Sequence, residues 1–161
     1  LPSFTDHLDQ ANHNLTLLEH LCNNDQSKFL DWKVTICFYT ALHLINSHLS
    51  TFQIQYRSHR DVNDALNPIS PTNGSLPEDE YYSYKSLNTL SRRSRYLVNQ
   101  KDNNLTSPTA AITYEVHLAK ALRHLDKLII FYCGTYNQNI NPIDVKCSGI
   151  SDKDFNHFTV I

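Results

Sequence analysis

Within the stretch LSRRSRYLVN, residues 90 to 99, the chain gathers Arg92, Arg93 and Arg95, although its formal net charge is only -2. Guanidinium groups present planar, paired N–H donors that grip phosphates and carboxylates. The first question is therefore whether these three face a common ligand. A helix turns by about 100° per residue, which spreads them over different faces. Arg93 then points outward beside Thr89 and Gln100, as an ordinary solvated residue. Arg92 and Arg95 instead share a stripe with Asn88 and Asn99, at spacings of four, three and four. That stripe borders the side on which Tyr84, Leu87, Leu90, Ser94, Leu97 and Val98 are expected to be buried.

Two other segments supply polar groups for such a stripe. Ser58-His59-Arg60-Asp61 has the pattern of a helix start, which would set His59 and Arg60 beside exposed backbone N–H groups suited to an anion. Tyr39 and His43 share one face of an apolar helix with Trp32, with Thr35 and Asn46 at its margin. Trp32, Tyr39 and Leu42 are expected to be buried there. One reading is a buried network in which these polar tips satisfy one another. The other is an anion cleft with Arg92 and Arg95 as its inner wall. His59, Arg60, Tyr39, His43 and Asn99 complete it, and Arg57 adds charge at the mouth.

Other chemistries find less support. His13 and His20 are seven residues apart, as are His117 and His124, a separation of about 10 Å along a helix that is too long for one metal ion. No His-x-x-x-His or Glu-x-x-His pair occurs, so no metal is expected and the nine histidines read as exposed. A Gly-x-Ser-x-Gly turn and a glycine-rich phosphate loop are both absent, so neither a serine hydrolase nor a bound cofactor is implied. Cys22, Cys37, Cys133 and Cys147 are widely scattered and read as reduced, mostly buried thiols of a cytoplasmic protein.

These side chains must be positioned by helices. Three glycines in 161 residues, with apolar residues recurring every three or four, predict an all-α protein. The pattern is an up-and-down bundle of four to five helices with a short additional helix and an irregular C-terminal arm. Residues 1–134 form the bundle and 135–161 the arm, an extended segment or short strand pair packed on it. The expected helices run over about Phe4 to Cys22, Lys28 to Leu49, Ser58 to Asn67, Pro77 to Gln100 and Thr109 to Cys133. Asp25 to Ser27 offer caps for the second, Ser107-Pro108 start the last and Gly134 stops it. No apolar run approaches the roughly 18 residues of a membrane span.

The segments DWKVTICFYTALHLINSHL, SHRDVNDAL and YKSLNTLSRRSRYL together resemble the HEPN superfamily, over roughly residues 7 to 132. The resemblance rests on an aromatic-rich second helix, His59-Arg60 after the second loop, and Arg95-Tyr96 late in a long helix. It implies a helical bundle that dimerises and binds RNA or a nucleotide, working with a nucleotidyltransferase or an antitoxin in a toxin-antitoxin or defence system. Cleaving members carry an Arg followed after four to six residues by a catalytic His. No arginine of this chain has a His at that distance, so the expectation is binding without cleavage. A divergent ribonuclease would have to use His43 or His59, and a purely structural interaction domain is the third alternative.

Overall fold

The computed structural model describes residues 2–96 and 112–161. Five helices make up most of it: α1 (Phe4–Asn24), α2 (Leu30–Ser50), α3 (His59–Leu66), α4 (Glu78–Tyr96) and α5 (Glu115–Tyr136). The all-α bundle read from the sequence is the fold. Ser3 starts α1 with a capping box, its hydroxyl accepting from the Asp6 N–H while the Asp6 carboxylate accepts from Ser3 N, so two of the orphan N–H groups at the helix end are satisfied. Helix α2 lies at the centre, touching α1, α4 and α5, which is why Val34, Cys37, Phe38, Ala41 and Leu49 are all at most 1% exposed.

The start of α2 differs from expectation. Asp25 to Ser27 do not cap it; Phe29 precedes it in the left-handed conformation (φ 55°) without a side-chain cap. The carbonyls of Asp25 and Gln26 instead accept from Lys33 Nζ, at 2.7 and 3.0 Å. Lys33 is fully buried, its ammonium tying the α1–α2 turn to the core. Trp32, expected inside, is 61% exposed. It lies with Tyr39, His43, Asn46 and Ser50 along the least covered stripe of α2. Partners from other helices reach Tyr39 and His43, whereas Trp32 stands in the first turn.

Ser58 caps α3, its hydroxyl accepting from Asp61 N at 3.1 Å, and the loop that follows is pinned by the imidazole of His48. His48 Nε2 lies 3.0 Å from the Gly74 carbonyl oxygen and Nδ1 2.6 Å from the Tyr136 hydroxyl. The carbonyl can only accept, so Nε2 carries the proton and Nδ1 accepts from the tyrosine. A side chain at Gly74 would bring its Cβ within 2.5 Å of Leu49 Cδ2, so any larger residue there would require Leu49 to shift.

Ser107 and Pro108, the expected start of the last helix, lie outside the described residues, as do Leu97, Val98, Asn99 and Gln100. Helix α5 nonetheless begins later than predicted: residues 112–114 are non-helical and Tyr114 is the N-cap. Nor does Gly134 end it. The helix continues to Tyr136, and Asn137 takes the left-handed cap position (φ 50°) with its N–H bonded to Cys133 O. Asparagine tolerates that conformation nearly as well as glycine.

The arm closes over α1 and α5. Strands β1 (Asp144–Val145) and β2 (Thr159–Val160) pair in parallel, and Ile140, Ile143, Val145, Phe155 and Phe158 are buried. Asp126 of α5, 3% exposed, accepts from three successive backbone N–H groups of the arm, Asn156, His157 and Phe158, at 2.9 to 3.0 Å. No helix among the described residues is long and apolar enough to cross a membrane.

Candidate anion cleft between α3 and α4

Helices α3 and α4 enclose a cleft of about 460 Å³, into which α3 presents His59, Arg60 and Asn63 and α4 presents Lys85, Arg92 and Arg95. Tyr96, Asn88 and Thr89 complete its walls. The expected pair Arg92 and Arg95 is thus brought together with His59 and Arg60.

Arg95 is the most firmly placed. Its Nη1 donates to Tyr39 Oη at 3.1 Å and to Tyr96 Oη at 3.5 Å, and its Nε to Ser91 O at 3.4 Å. The guanidinium carbon lies 5.5 Å from the ring centroids of Phe38 and Tyr39 and 5.0 Å from that of Tyr96. Aromatic faces favour a cation electrostatically without neutralising it, so Arg95 is oriented and keeps its full charge. Of its five N–H donors, those of Nη2 have no hydrogen bond among the described residues. Arg95 is therefore a strut between α4 and α2 that stands in the wall of the cleft.

Arg92 is exposed on the same wall. Among the described residues no carboxylate lines the cleft, and neither Arg92, Arg95 nor Lys85 is in an ion pair. Arg60 is 3.9 Å from Asp64, but both side chains are largely exposed, and such a pair is weak. His59 rests against the Phe38 ring, with centroids 5.5 Å apart. Burial first, and then the charge of Arg95, hold its pKa below the ordinary histidine value, so near pH 7 its imidazole is mainly neutral.

The remaining candidates are placed elsewhere. Tyr39 stands behind Arg95 as its acceptor and does not line the cavity. His43 faces α1, its Nδ1 3.2 Å from His7 Nδ1, away from the arginines. Asn99 is outside the described residues, and Arg57 is exposed but not part of the lining. Arg93 is not the free surface residue expected: Nε and Nη2 both donate to Ile112 O, at 3.2 and 2.9 Å. Next to it Ser94 Oγ meets Thr113 Oγ1 at 3.0 Å, so α4 holds the segment leading into α5 in a non-helical path.

The histidines are also less exposed than expected. His7 and His48 are buried and His43, His117, His124 and His157 partly so, and burial is the first cause lowering the pKa of each. Among the described residues no three His, Cys, Asp or Glu side chains are grouped to hold a metal ion. Cys22, Cys37 and Cys147 are buried and all four cysteines are free thiols.

Lys85 and Asn63 were missed by sequence reasoning. The signal for Lys85 was present, since it lies seven residues before Arg92, two turns along the same side of α4. Asn63 faces α4 through a bond to Tyr81 Oη at 3.3 Å, which no spacing within α3 indicates. No family model matches the chain, and the comparison with curated proteins and with solved structures likewise finds no match.

Proposed function

We propose that the protein binds phosphate-bearing ligands, a nucleotide or RNA, in the α3–α4 cleft and does so without cleaving them. The observation that carries this reading is the set of four cations, Arg60, Lys85, Arg92 and Arg95, around a cavity in whose lining, among the described residues, there is no carboxylate. Guanidinium–phosphate contacts are charge-assisted and can be bidentate. The neutral imidazole of His59 adds a hydrogen-bonding group at the same wall. The HEPN-like resemblance points to the same ligand class, and with it to a homodimer and to a nucleotidyltransferase or antitoxin partner.

The test is titration of mononucleotides and short RNA into the wild type, Arg92→Ala, Arg95→Ala and Arg93→Ala at two salt concentrations, with a thermal melt of each variant. Loss of Arg92 or Arg95 is expected to weaken binding by roughly 1.5–3 kcal/mol, about 10- to 150-fold. Arg93→Ala should leave affinity nearly unchanged, because that side chain is committed to Ile112. Failure of the stable wild type to bind any of these ligands would overturn the reading in favour of an interaction domain. Shortened RNA products that disappear in His59→Ala would favour the divergent ribonuclease instead.

A further inference from the structure

Helix α4 distributes charge unevenly. Glu78, Asp79 and Glu80 occupy its first turn, and from Tyr81 to Tyr96 it carries no acidic residue while holding Lys85, Arg92, Arg93 and Arg95. The helix dipole favours acids at the start and bases at the end, which accounts for Arg93 and Arg95. It does not account for Lys85 in mid-helix, nor for what lies beside it. Tyr82, Lys85, Thr89, Arg92 and Tyr96, spaced three, four, three and four apart, are all exposed, so one outward stripe runs aromatic, cation, hydroxyl, cation, aromatic.

The hollows on either side of this stripe are neighbours. The α3–α4 cleft shares Lys85 and Thr89 with a second depression of about 650 Å³, whose walls include Tyr81, Tyr82 and, from α5, Lys120 and His124. Glu78 lies at its far end. Beyond Tyr82 and His124 the next hollow contains Glu80, Asp126 and Asp154 together with Arg123 and Lys127, so the lining there is mixed in sign. Tyr82 is 65% and Tyr96 61% exposed. Each ring has one neighbour that steadies it: His124 edge-on at 5.8 Å for Tyr82, and the Arg95 guanidinium at 5.0 Å for Tyr96.

We infer that the ligand of this protein is a single-stranded nucleic acid, laid along α4 from the cleft at Tyr96 to a second subsite at Tyr82, Lys120 and His124. This deepens the phosphate-binding reading above and rests on it. Exposed aromatic rings alternating with cations suit a strand whose phosphates follow the charges and whose bases stack on the rings, whatever the sequence. A mononucleotide would need only the cleft. Tyr82 and Tyr96 are fourteen residues apart, about 21 Å at ~1.5 Å per residue. That distance spans about six nucleotides stacked at ~3.4 Å each, and fewer in a drawn-out strand.

The experiment measures affinity for single-stranded RNA and DNA of one, two, four, six and eight nucleotides, by fluorescence anisotropy, in the wild type, Tyr82→Ala, Lys85→Ala and Arg92→Ala, with light scattering on each. Affinity should rise with length and level off near four to six nucleotides. Tyr82→Ala should weaken the six-mer roughly tenfold, as loss of a stacking ring does, and leave the mononucleotide unaffected. Lys85→Ala should flatten the log–log salt dependence of six-mer binding by about 0.7, whereas Arg92→Ala should weaken every length. Equal affinity for one and six nucleotides, with Tyr82→Ala silent, overturns the strand path and leaves the cleft reading standing. Absence of binding at every length removes both. If Tyr82→Ala alters only the oligomeric state, the stripe is a protein interface and the inference fails.

Discussion

The arm side of α5 and the outward side of α4 treat charge in opposite ways. On α5, Asp126 is almost fully buried and meets three backbone N–H groups. One turn earlier Arg123 reaches Asp154 at 3.0 Å and the Gly149 carbonyl at 2.7 Å. On α4, Lys85 meets the Tyr81 ring and Arg95 meets rings, hydroxyls and a carbonyl, and among the described residues neither they nor Arg92 meet a carboxylate. A buried carboxylate is tolerable only when its partners are built in, so the arm side is organised by the demands of folding. Exposed like charges gathered in one cleft repel each other, and folding gains nothing from gathering them. The two regions differ in what completes them: the chain itself on the arm side, a ligand on the α4 side in the reading proposed here.

The comparison breaks first if Asp126 proves dispensable. Asp126→Ala removes the acceptor of three N–H donors and leaves them facing an apolar gap, so it should cost about 3–5 kcal/mol. Urea unfolding measures the loss, and hydrogen exchange at Asn156, His157 and Phe158 should show whether the arm is released. Asp126→Asn, which keeps one acceptor oxygen, should recover part of it. A cost below about 1 kcal/mol for the alanine variant would mean that the arm is held by Phe155 and Phe158 alone.

A second, smaller effect concerns His48, whose two ring nitrogens are both committed on the closed side of the fold. Its folded pKa is lowered from 6.5, first by burial, so the unfolded chain binds more protons than the native one as the pH falls. Stability from this group is therefore full above 6.5 and is lost as the pH drops through the folded pKa. His48→Gln can still donate to Gly74 O but loses the Tyr136 bond, and should cost about 1–2 kcal/mol at pH 7.5. The wild type should lose stability between pH 7 and 5, and the gap between wild type and variant should narrow over that range. Denaturant melts at several pH values give the difference directly. This isolates His48 from His7, His43 and the other histidines shifted the same way. A gap that widens toward acid would mean that the fold favours the imidazolium, and would overturn the lowered pKa.

What the sequence revealed follows from how local each interaction is. The periodicity of α1 and α2, the Ser58 cap of α3 and the shared stripe of Arg92 and Arg95 are properties of single helices, and the structure has all of them. The start of α5 was misplaced because Arg93 and Ser94 of another helix hold Ile112 and Thr113 out of it. Gly134 reads as a stop because glycine is a poor helix former, yet an exposed glycine costs only about 1 kcal/mol relative to alanine, which the surrounding packing overrides. The place of His43 on α2 points to the cleft, since nothing local shows that His7 of α1 claims it. Lys33 is the clearest omission: a lysine is almost never fully buried unless paired, and its partners are carbonyls of a turn seven and eight residues earlier.

The smallest expected effect, and the one that separates the two sides of α2, is that of Trp32. An aromatic on an otherwise apolar central helix is expected to be core, and truncating a buried tryptophan costs about 3–5 kcal/mol. Here the ring is 61% exposed, while the neighbouring Lys33 is fully buried. Trp32→Ala should therefore change stability by less than about 1 kcal/mol, because surface substitutions away from caps and networks rarely do more. As the one tryptophan of the chain, it reports on itself: its fluorescence should be readily quenched by acrylamide. A loss of several kcal/mol, or an emission shielded from quencher, would place Trp32 under a covering surface. If the shielding vanished on dilution, that surface would be a second copy of the chain, and the least covered stripe of α2 would join the regions completed from outside the monomer.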